Sequence, residues 1–529
     1  MIKYPDYENC IVNLAASVLQ EFGVDTGDTK GLPVCKVLFA KNYKNIVVLL
    51  LDGMGISVME KNLKKTGFFR KHLLHTYSSV FPPTTVAATT SIDCGKYPTE
   101  HAWLGWDCYY PQINENVTVF LNVKQGTEEL AADYHVAGTF CGYDNIVSQI
   151  QAAGGAAYYS TPFAYPNPGD FDAVLERIGD LCKKDGKKYI YAYCNEPDYT
   201  MHRKGCFCKD AVDVIRELEK KVEALAETLT DTLLIVTADH GHIDGRNACI
   251  LDYPKLMECL KRMPSIEPRA LNLFVKDGYQ EQFVAEFNKE FGDAFLLLSK
   301  EEVKKQKLFG PGTEHPSFDG MLGDYLAVAT SDLSIFNTQE EKEKFIGVHA
   351  GLTKEEMEIP LIVVEKKKEK RSTANMIRLA TINDLERVNE LREQVNTLHV
   401  NGRPDHFKAG WNEELQNHAK ECIEAENKDI LVAERNGIIC GFACVDYVDM
   451  PESPYRYARH FYHVGEFGVD KAFHRQGVAT ELVEFMKEHA KEKGFSQIEL
   501  DVWEFNSEAQ EFYKAAGFQC IRRYMEMRF

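Results

Sequence analysis

Two hydrophobic rhythms alternate along the chain. Short, nearly continuous apolar runs at Asn45–Leu51, Tyr189–Cys194, Leu233–Thr237 and Pro360–Val364 have the length and density of strands buried on both faces. Between them lie stretches with apolar residues three and four apart, such as Ala211–Thr228, which is the spacing of an amphipathic helix. Strands alternating with helices predict an α/β fold built on a mainly parallel sheet flanked by helices. The rhythm stops after Val364 at Glu365-Lys-Lys-Lys-Glu-Lys-Arg371 and restarts at Met376. The restart predicts a strand at Ile377–Ala380, a helix capped near Thr381 and running to Leu391, a helix at Val478–Lys491 and a strand at Ile498–Val502. The expected organisation is a first domain at 1–365, a solvated charged linker at 366–375, and a second α/β domain at 376–529.

Composition narrows the class. A chain of 529 residues exceeds one compact core, which agrees with at least two domains. The longest early apolar run, Ile46–Leu51, is far short of the roughly 20 residues that span a bilayer, so no membrane segment is expected. Acidic Asp6 and Glu8 come early, with no basic stretch ahead of a long apolar core, so no secretory leader is expected and the protein is assigned to the cytoplasm. The cysteines are scattered without a framework and are read as reduced thiols, Cys206 and Cys208 among them. A net charge of −19 disfavours sequence-independent binding to nucleic acid or to an anionic membrane and points to small-molecule substrates.

Four segments of the first domain put metal-binding or nucleophilic side chains where α/β enzymes hold them, just beyond strand ends. Leu49-Leu-Leu-Asp52-Gly-Met-Gly55 ends an apolar strand in a carboxylate. Phe81-Pro-Pro-Thr84-Thr85 opens a predicted helix with hydroxyls at its N-terminus, which suits an anion such as phosphate. Asp198 and His202 stand four apart after a strand, and Asp239-His240-Gly-His242 follows another. His349 comes late, before the last strand. In this order the set resembles the nucleotide pyrophosphatase/phosphodiesterase branch of the alkaline phosphatase superfamily, over roughly Asn45 to Val364. Gly95-Lys-Tyr-Pro-Thr-Glu-His101 and His349-Ala-Gly-Leu-Thr-Lys-Glu-Glu-Met357 resemble flanking motifs of that family.

The resemblance implies that Asp198, His202 and His349 bind one divalent metal and that Asp52, Asp239 and His240 bind a second, zinc being the best match to this donor set. It implies Thr85 as the nucleophile, favoured over Thr84, with a phospho-enzyme intermediate. Where the family commonly carries an Asn three residues beyond the nucleophile, this chain has Ala88, so the phosphoryl clamp must differ; Trp103, Trp106, Tyr143 and His101 are candidates to replace it. Monoester, diester, pyrophosphate and phosphonate substrates all remain open. Arg269 is a candidate contact for a substrate anion or a surface salt bridge, and the Glu314-His315 and Gly323-Asp324 pairs are given no chemistry.

In the second domain, Val464-Gly-Glu466-Phe-Gly-Val469 leads through His474-Arg475-Gln476-Gly477-Val478-Ala479-Thr480 into a helix, a turn that aims backbone N–H groups at one place and suits a pyrophosphate. That loop, together with Asn506-Ser-Glu-Ala-Gln-Glu-Phe-Tyr513-Lys-Ala-Ala-Gly517-Phe518, resembles the GNAT family of N-acetyltransferases over Ile377 to Phe529. The resemblance implies a mixed-sheet α/β fold and an acetyl-CoA site formed by Val469, His474 to Thr480 and Asn506, with His474 standing where the family has Arg or Gln. It implies Tyr513 as the acid that reprotonates the CoA thiolate, while Glu466, on the strand before the loop, is a candidate base for a small amine acceptor. The expected whole is a bifunctional enzyme, a two-metal phosphohydrolase joined to an N-acetyltransferase, of unassigned oligomeric state. The alternatives are an acetyltransferase carrying a catalytically degenerate phosphatase-fold domain that serves as a sensor or scaffold, and an N-terminal phosphomutase-type isomerase for which 245–322 would be the cap.

Overall fold

The computed structural model describes residues 2–162, 169–367 and 376–529, so the linker expected at 366–375 lies, from 368 onward, outside the described residues. The chain divides into two compact units, Met1–Glu369 and Lys370–Phe529.

The first unit is built on a six-stranded sheet in the order Leu73–Ser78, Glu358–Lys366, Thr232–Thr237, Asn45–Leu51, Lys188–Cys194, Ala156–Ser160. The last four strands are mutually parallel; Glu358–Lys366 runs antiparallel to both of its neighbours. Every residue of Asn45–Leu51 and of Thr232–Thr237 is buried, and this two-sided burial makes those runs continuously apolar in sequence. Helix Lys209–Thr228 covers the sheet with Ala211, Ile215, Leu218, Val222, Leu225 and Ala226, one face at steps of three and four. Cys208 accepts from the backbone N–H of Ala211 at 3.4 Å and caps this helix.

A seven-stranded sheet stands beside this core in the order Phe295–Ser299, Tyr325–Ala329, Ala270–Leu273, Ser265–Glu267, Asp107–Tyr110, Glu115–Thr118, Val123–Lys124. It draws strands from both 107–124 and 265–329 and so is not one continuous insertion. Helix Gln280–Phe291 packs on it through Phe283, Phe287 and Phe291, four apart on one face. Arg269, read from sequence as an anion contact or a surface salt bridge, is neither. It is wholly buried and makes a two-pronged pair with Glu356 at 2.7 and 2.8 Å, while donating to the carbonyls of Leu333 and Ser331. Glu314 pairs with Lys304 on the surface, and Asp324 accepts from the Val275 N–H, both outside any cluster of site residues.

The second unit is a five-stranded mixed sheet in the order Met376–Leu379, Lys428–Arg435, Ile438–Met450, Arg459–Val469, Ile498–Leu500, antiparallel except for its last pair. That parallel pairing is confined to Tyr462–Val464, so among the described residues Gly465–Val469 runs on without a strand partner on this side. The helix expected to end at Leu391 begins after a 3-10 turn at Ile382–Asp384, where Thr381 donates to Asp384, and continues from Leu385 to Gly402. The strand expected to reach Val502 stops at Leu500. Among the described residues no helix is long and apolar enough to cross a membrane.

Candidate functional site

Three adjacent parallel strands aim their carboxyl ends at one place. Asp52 follows Asn45–Leu51, Asp239 and His240 follow Thr232–Thr237, and Asp198 opens helix Asp198–Lys204 after Lys188–Cys194. Thr85 is the first residue of helix Thr85–Cys94, and His349 follows the short strand Gly347–Val348. Glycines let these loops close on one another. A Cβ on Gly55 would sit 2.4 Å from the Gly241 Cα, and one on Gly241 would sit 1.9 Å from the Glu355 carbonyl oxygen.

The hydrogen bonds assign the imidazole tautomers. The Nδ1 of His202 lies 2.8 Å from the Gly347 carbonyl, that of His349 3.1 Å from the Pro83 carbonyl, and that of His240 3.0 Å from the Gly241 carbonyl. A carbonyl only accepts, so each Nδ1 carries a proton, and the Nε2 atoms of His202 and His349 present lone pairs to the centre of the site. His240 differs: against its burial, the charges of Asp239 and Asp52 push it up to about 10, which puts a proton on its Nε2 toward Asp52 that a cation held there would displace. The Nε2 atoms of His202 and His349 face each other at 3.2 Å, an approach of two acceptors that an ion between them would relieve. The Nε2 of His240 lies 3.3 Å from Asp52 and 3.3 Å from the Thr85 hydroxyl, which is itself 3.4 Å from Asp52. Thr84, the neighbouring hydroxyl, points away and donates to Glu267 at 2.6 Å.

The charges are those of a cation site. Burial pushes Asp239 well above the ordinary carboxylate range, and the Asp52 charge adds to this. One oxygen of Asp239 accepts from the N–H groups of Gly53 and His240; the other is buried with no hydrogen bond among the described residues, its nearby charge partner being the His240 Nε2 at 3.5 Å. A buried carboxylate oxygen without a donor is costly unless a cation meets it. Among the described residues the ligand-type atoms of Asp198, His202, His242 and His349 lie within 4.8 Å of one another, as do those of Asp52, Asp198 and His240. The donor set, carboxylates plus imidazole lone pairs, fits divalent ions such as zinc.

His242 and Glu267 were not singled out in the sequence. His242 donates from Nε2 to Asp198 at 2.6 Å, an orienting contact on a carboxylate that itself faces the centre. Its signal was present as the second imidazole of Asp239-His-Gly-His242. Glu267 holds Thr84 and the backbone N–H of Trp106 (2.8 Å) on one oxygen, and burial pushes its carboxyl up to about 7. It follows Ile266, whose φ of 75° is a strained conformation for a β-branched residue. The candidate clamps are occupied elsewhere. His101 bonds Ser91, Trp103 donates to the Cys141 carbonyl, and Tyr143 donates to Asp93, while Trp106 is 43% exposed. Ala88 is fully buried in its helix.

In the second unit, Arg475 (φ 60°) and Gly477 (φ 83°) bend the chain into helix Val478–Glu492, so the first-turn N–H groups of Val478, Ala479 and Thr480 have no helical acceptors. His474 donates to the Val469 carbonyl at 3.0 Å and Gln476 to that of Ala472 at 3.0 Å, which ties the loop to itself. Asn506 caps helix Ser507–Ala515 through the Ala509 N–H. Tyr513 packs edge-on against Phe467 and Phe518, and burial pushes its hydroxyl up to about 12, so it is protonated at neutral pH. Both oxygens of Glu466 are engaged at 2.7 Å by the Arg392 guanidinium.

Two family models match this chain. The model of the type I phosphodiesterase / nucleotide pyrophosphatase family matches residues 46–352, and that of the acetyltransferase (GNAT) family matches residues 393–518. Murine ectonucleotide pyrophosphatase/phosphodiesterase 5 is 17% identical over 61% of this chain and 90% of its own, with a TM-score of 0.48. Phosphonoacetate hydrolase from Sinorhizobium meliloti 1021, solved with phosphonoformate, is 14% identical over 62% of this chain and 91% of its own, with a TM-score of 0.46. A tetramutant of the BH1408 protein from Bacillus halodurans is 26% identical over 29% of this chain and 99% of its own, with a TM-score of 0.28. A search of curated proteins finds no match.

Proposed function

Because the chain belongs to the type I phosphodiesterase / nucleotide pyrophosphatase family and carries a GNAT-family acetyltransferase unit, we propose that it is a bifunctional enzyme. Its first unit cleaves a phosphorus–oxygen bond in a small phosphoryl substrate, and its second transfers an acetyl group from acetyl-CoA to a small amine. In the first unit Asp198, His202 and His349 would hold one divalent cation and Asp52, Asp239 and His240 another, zinc suiting the set. When bound, the cations supply Lewis-acid stabilisation of charge on the nucleophile and the phosphoryl oxygens.

The chain's own residues do the rest. Thr85 Oγ1 attacks phosphorus, the bond to the leaving oxygen breaks, and the phosphoryl group stays on Thr85 until water displaces it. The free N–H groups at the start of helix Thr85–Cys94 favour the anionic group being transferred. His242 fixes the Asp198 carboxylate, and Glu267 fixes Thr84 beside the nucleophile. The observation that carries this reading is the set of three imidazoles whose Nδ1 protons are all spent on backbone carbonyls, which turns each Nε2 toward the carboxylates of the site, that of His240 lying 3.3 Å from the Thr85 hydroxyl. Hydrolysis of bis(p-nitrophenyl) phosphate, p-nitrophenyl phosphate and p-nitrophenyl phenylphosphonate by the full chain, before and after chelation, tests it. Chelation is expected to abolish turnover, and undiminished turnover in excess chelator contradicts the reading.

For the second unit, the loop ahead of helix Val478–Glu492 supports a site for the cofactor's pyrophosphate, with Val469 and His474 to Thr480 around it. The unpartnered edge at Gly465–Val469 supports a path for the cofactor's amide-bearing arm. Tyr513 gives its proton to the departing thiolate. Asn506 holds the helix that carries Tyr513, and Glu466, locked to Arg392, sets the charge beside the acyl group. Fifteen unpaired thiols support a reducing, cytoplasmic setting.

A further inference from the structure

Glu466, the candidate base, is ion-paired to Arg392, and a second candidate lies near it. Helix Leu385–Gly402 places His399 seven residues beyond Arg392, on the same face. His399 is half-buried, and neither of its ring nitrogens has a hydrogen-bond partner among the described residues. Its ring stacks on Phe407 (centroids 5.0 Å apart, planes at 20°) and meets Phe505 edge-on at 6.2 Å. Trp503 closes the group, 5.2 Å from Phe407 and 6.2 Å from Phe505. These rings come from three separated segments. Gly402 permits the arrangement, since a Cβ there would lie 2.2 Å from Phe505.

We infer that Phe407, Trp503 and Phe505 form the acceptor pocket, that it takes a primary amine carried on an aromatic or apolar body, and that His399 is the catalytic residue that receives the amine's proton. The inference rests on the acetyl-transfer reading of this unit. The ammonium gives one proton to an imidazole nitrogen of His399, and the nitrogen lone pair then forms the bond to the acetyl carbon. The carbon–sulfur bond breaks, and the thiolate takes the Tyr513 proton, which the second proton of the new amide nitrogen replaces. His399 then releases its proton to solvent. Burial lowers His399 from its ordinary value and the Glu466 charge partly offsets this, so the ring is neutral and able to accept at pH 7. The titratable and charged groups around it are Arg392 and Glu466, which pair with each other, Arg403, Asp405 and His406 of the following loop, and Glu504 beside Trp503. Arg403 and Asp405 pair with each other and with Glu526 and Arg528 respectively, and His406 packs against Phe407 and Trp503.

The test uses the full chain, with calorimetric acetyl-CoA binding and thiol release measured on 2-phenylethylamine and on ethylamine. Wild type is expected to bind acetyl-CoA and to favour 2-phenylethylamine by about tenfold or more in kcat/KM. His399→Gln is expected to keep acetyl-CoA binding and KM while kcat at pH 7 falls about 10²-fold, with loss of the acidic limb of the pH profile. Three results overturn the inference in a wild type that binds acetyl-CoA. They are a His399→Gln kcat within about threefold of wild type, equal kcat/KM for the two amines, and no turnover of 2-phenylethylamine. A wild type that does not bind acetyl-CoA sinks the acetyl-transfer reading itself, and this inference with it.

Discussion

Replacing Arg269 with methionine removes a guanidinium that is wholly buried and has four hydrogen bonds, two to Glu356 and one each to the carbonyls of Leu333 and Ser331. Glu356, equally buried, keeps only the donors of Gly351 and Thr353. Breaking a buried ion pair from one side costs about 3–5 kcal/mol, because the remaining charge is left uncompensated. At about 2.1 cal/mol/K of unfolding entropy per residue, a unit spanning Met1–Glu369 loses roughly 4–6 °C in Tm. Calorimetry of the full chain at pH 7 reads this in the transition that acetyl-CoA does not raise. Burial works to raise the Glu356 pKa, but the Arg269 charge and the hydrogen bonds from Arg269, Thr353 and Gly351 together outweigh it, and the net shift is downward. A lowered folded-state pKa gives stability that is full above the unfolded value of about 4.5 and is lost as pH falls through the folded value, so the gap between wild type and variant should narrow in acid. The double variant Arg269→Met with Glu356→Leu should regain much of the loss. A single-variant shift below about 1 °C, or a double variant no better than the single one, refutes the reasoning.

Three further outcomes are expected. His242→Asn should weaken metal binding about 10–100-fold without changing the number of ions bound, as an orienting partner does; elemental analysis that finds a whole ion missing at saturating metal makes His242 a ligand instead. Asp239→Ala should cut metal content and phosphoryl hydrolysis while acetyl transfer continues, and loss of both activities in a folded variant contradicts two independent units. Tyr513→Phe should slow acetyl transfer with acetyl-CoA binding retained, and an unchanged rate removes Tyr513 from the mechanism.

Much of the fold was legible because buried parallel strands leave an unbroken apolar signature, as Asn45–Leu51 and Thr232–Thr237 do. The second sheet was not. Its strands Asp107–Tyr110, Glu115–Thr118 and Val123–Lys124 are short and mixed in polarity, and Asp107 pairs with Ile266 far along the chain. The carboxylates and imidazoles after the strands could be found in sequence because each sits at a fixed place in a local motif. Glu267 could not, since it meets Thr84 across 183 positions. The Arg392–Glu466 pair likewise spans 74 positions, and no local pattern announces that this carboxylate is engaged. Arg269 read as an exposed charge because only the folded chain brings Glu356 and two carbonyls around it.

The most direct test of the two-unit account is a paired assay on one preparation of wild type and of Thr85→Ala, measuring bound metal, hydrolysis of the p-nitrophenyl esters, and acetyl-CoA-dependent amine acetylation. The account predicts about two divalent ions per chain in both proteins, hydrolysis in wild type alone, and equal acetylation in the two. Hydrolysis that survives in Thr85→Ala at the wild-type rate contradicts it.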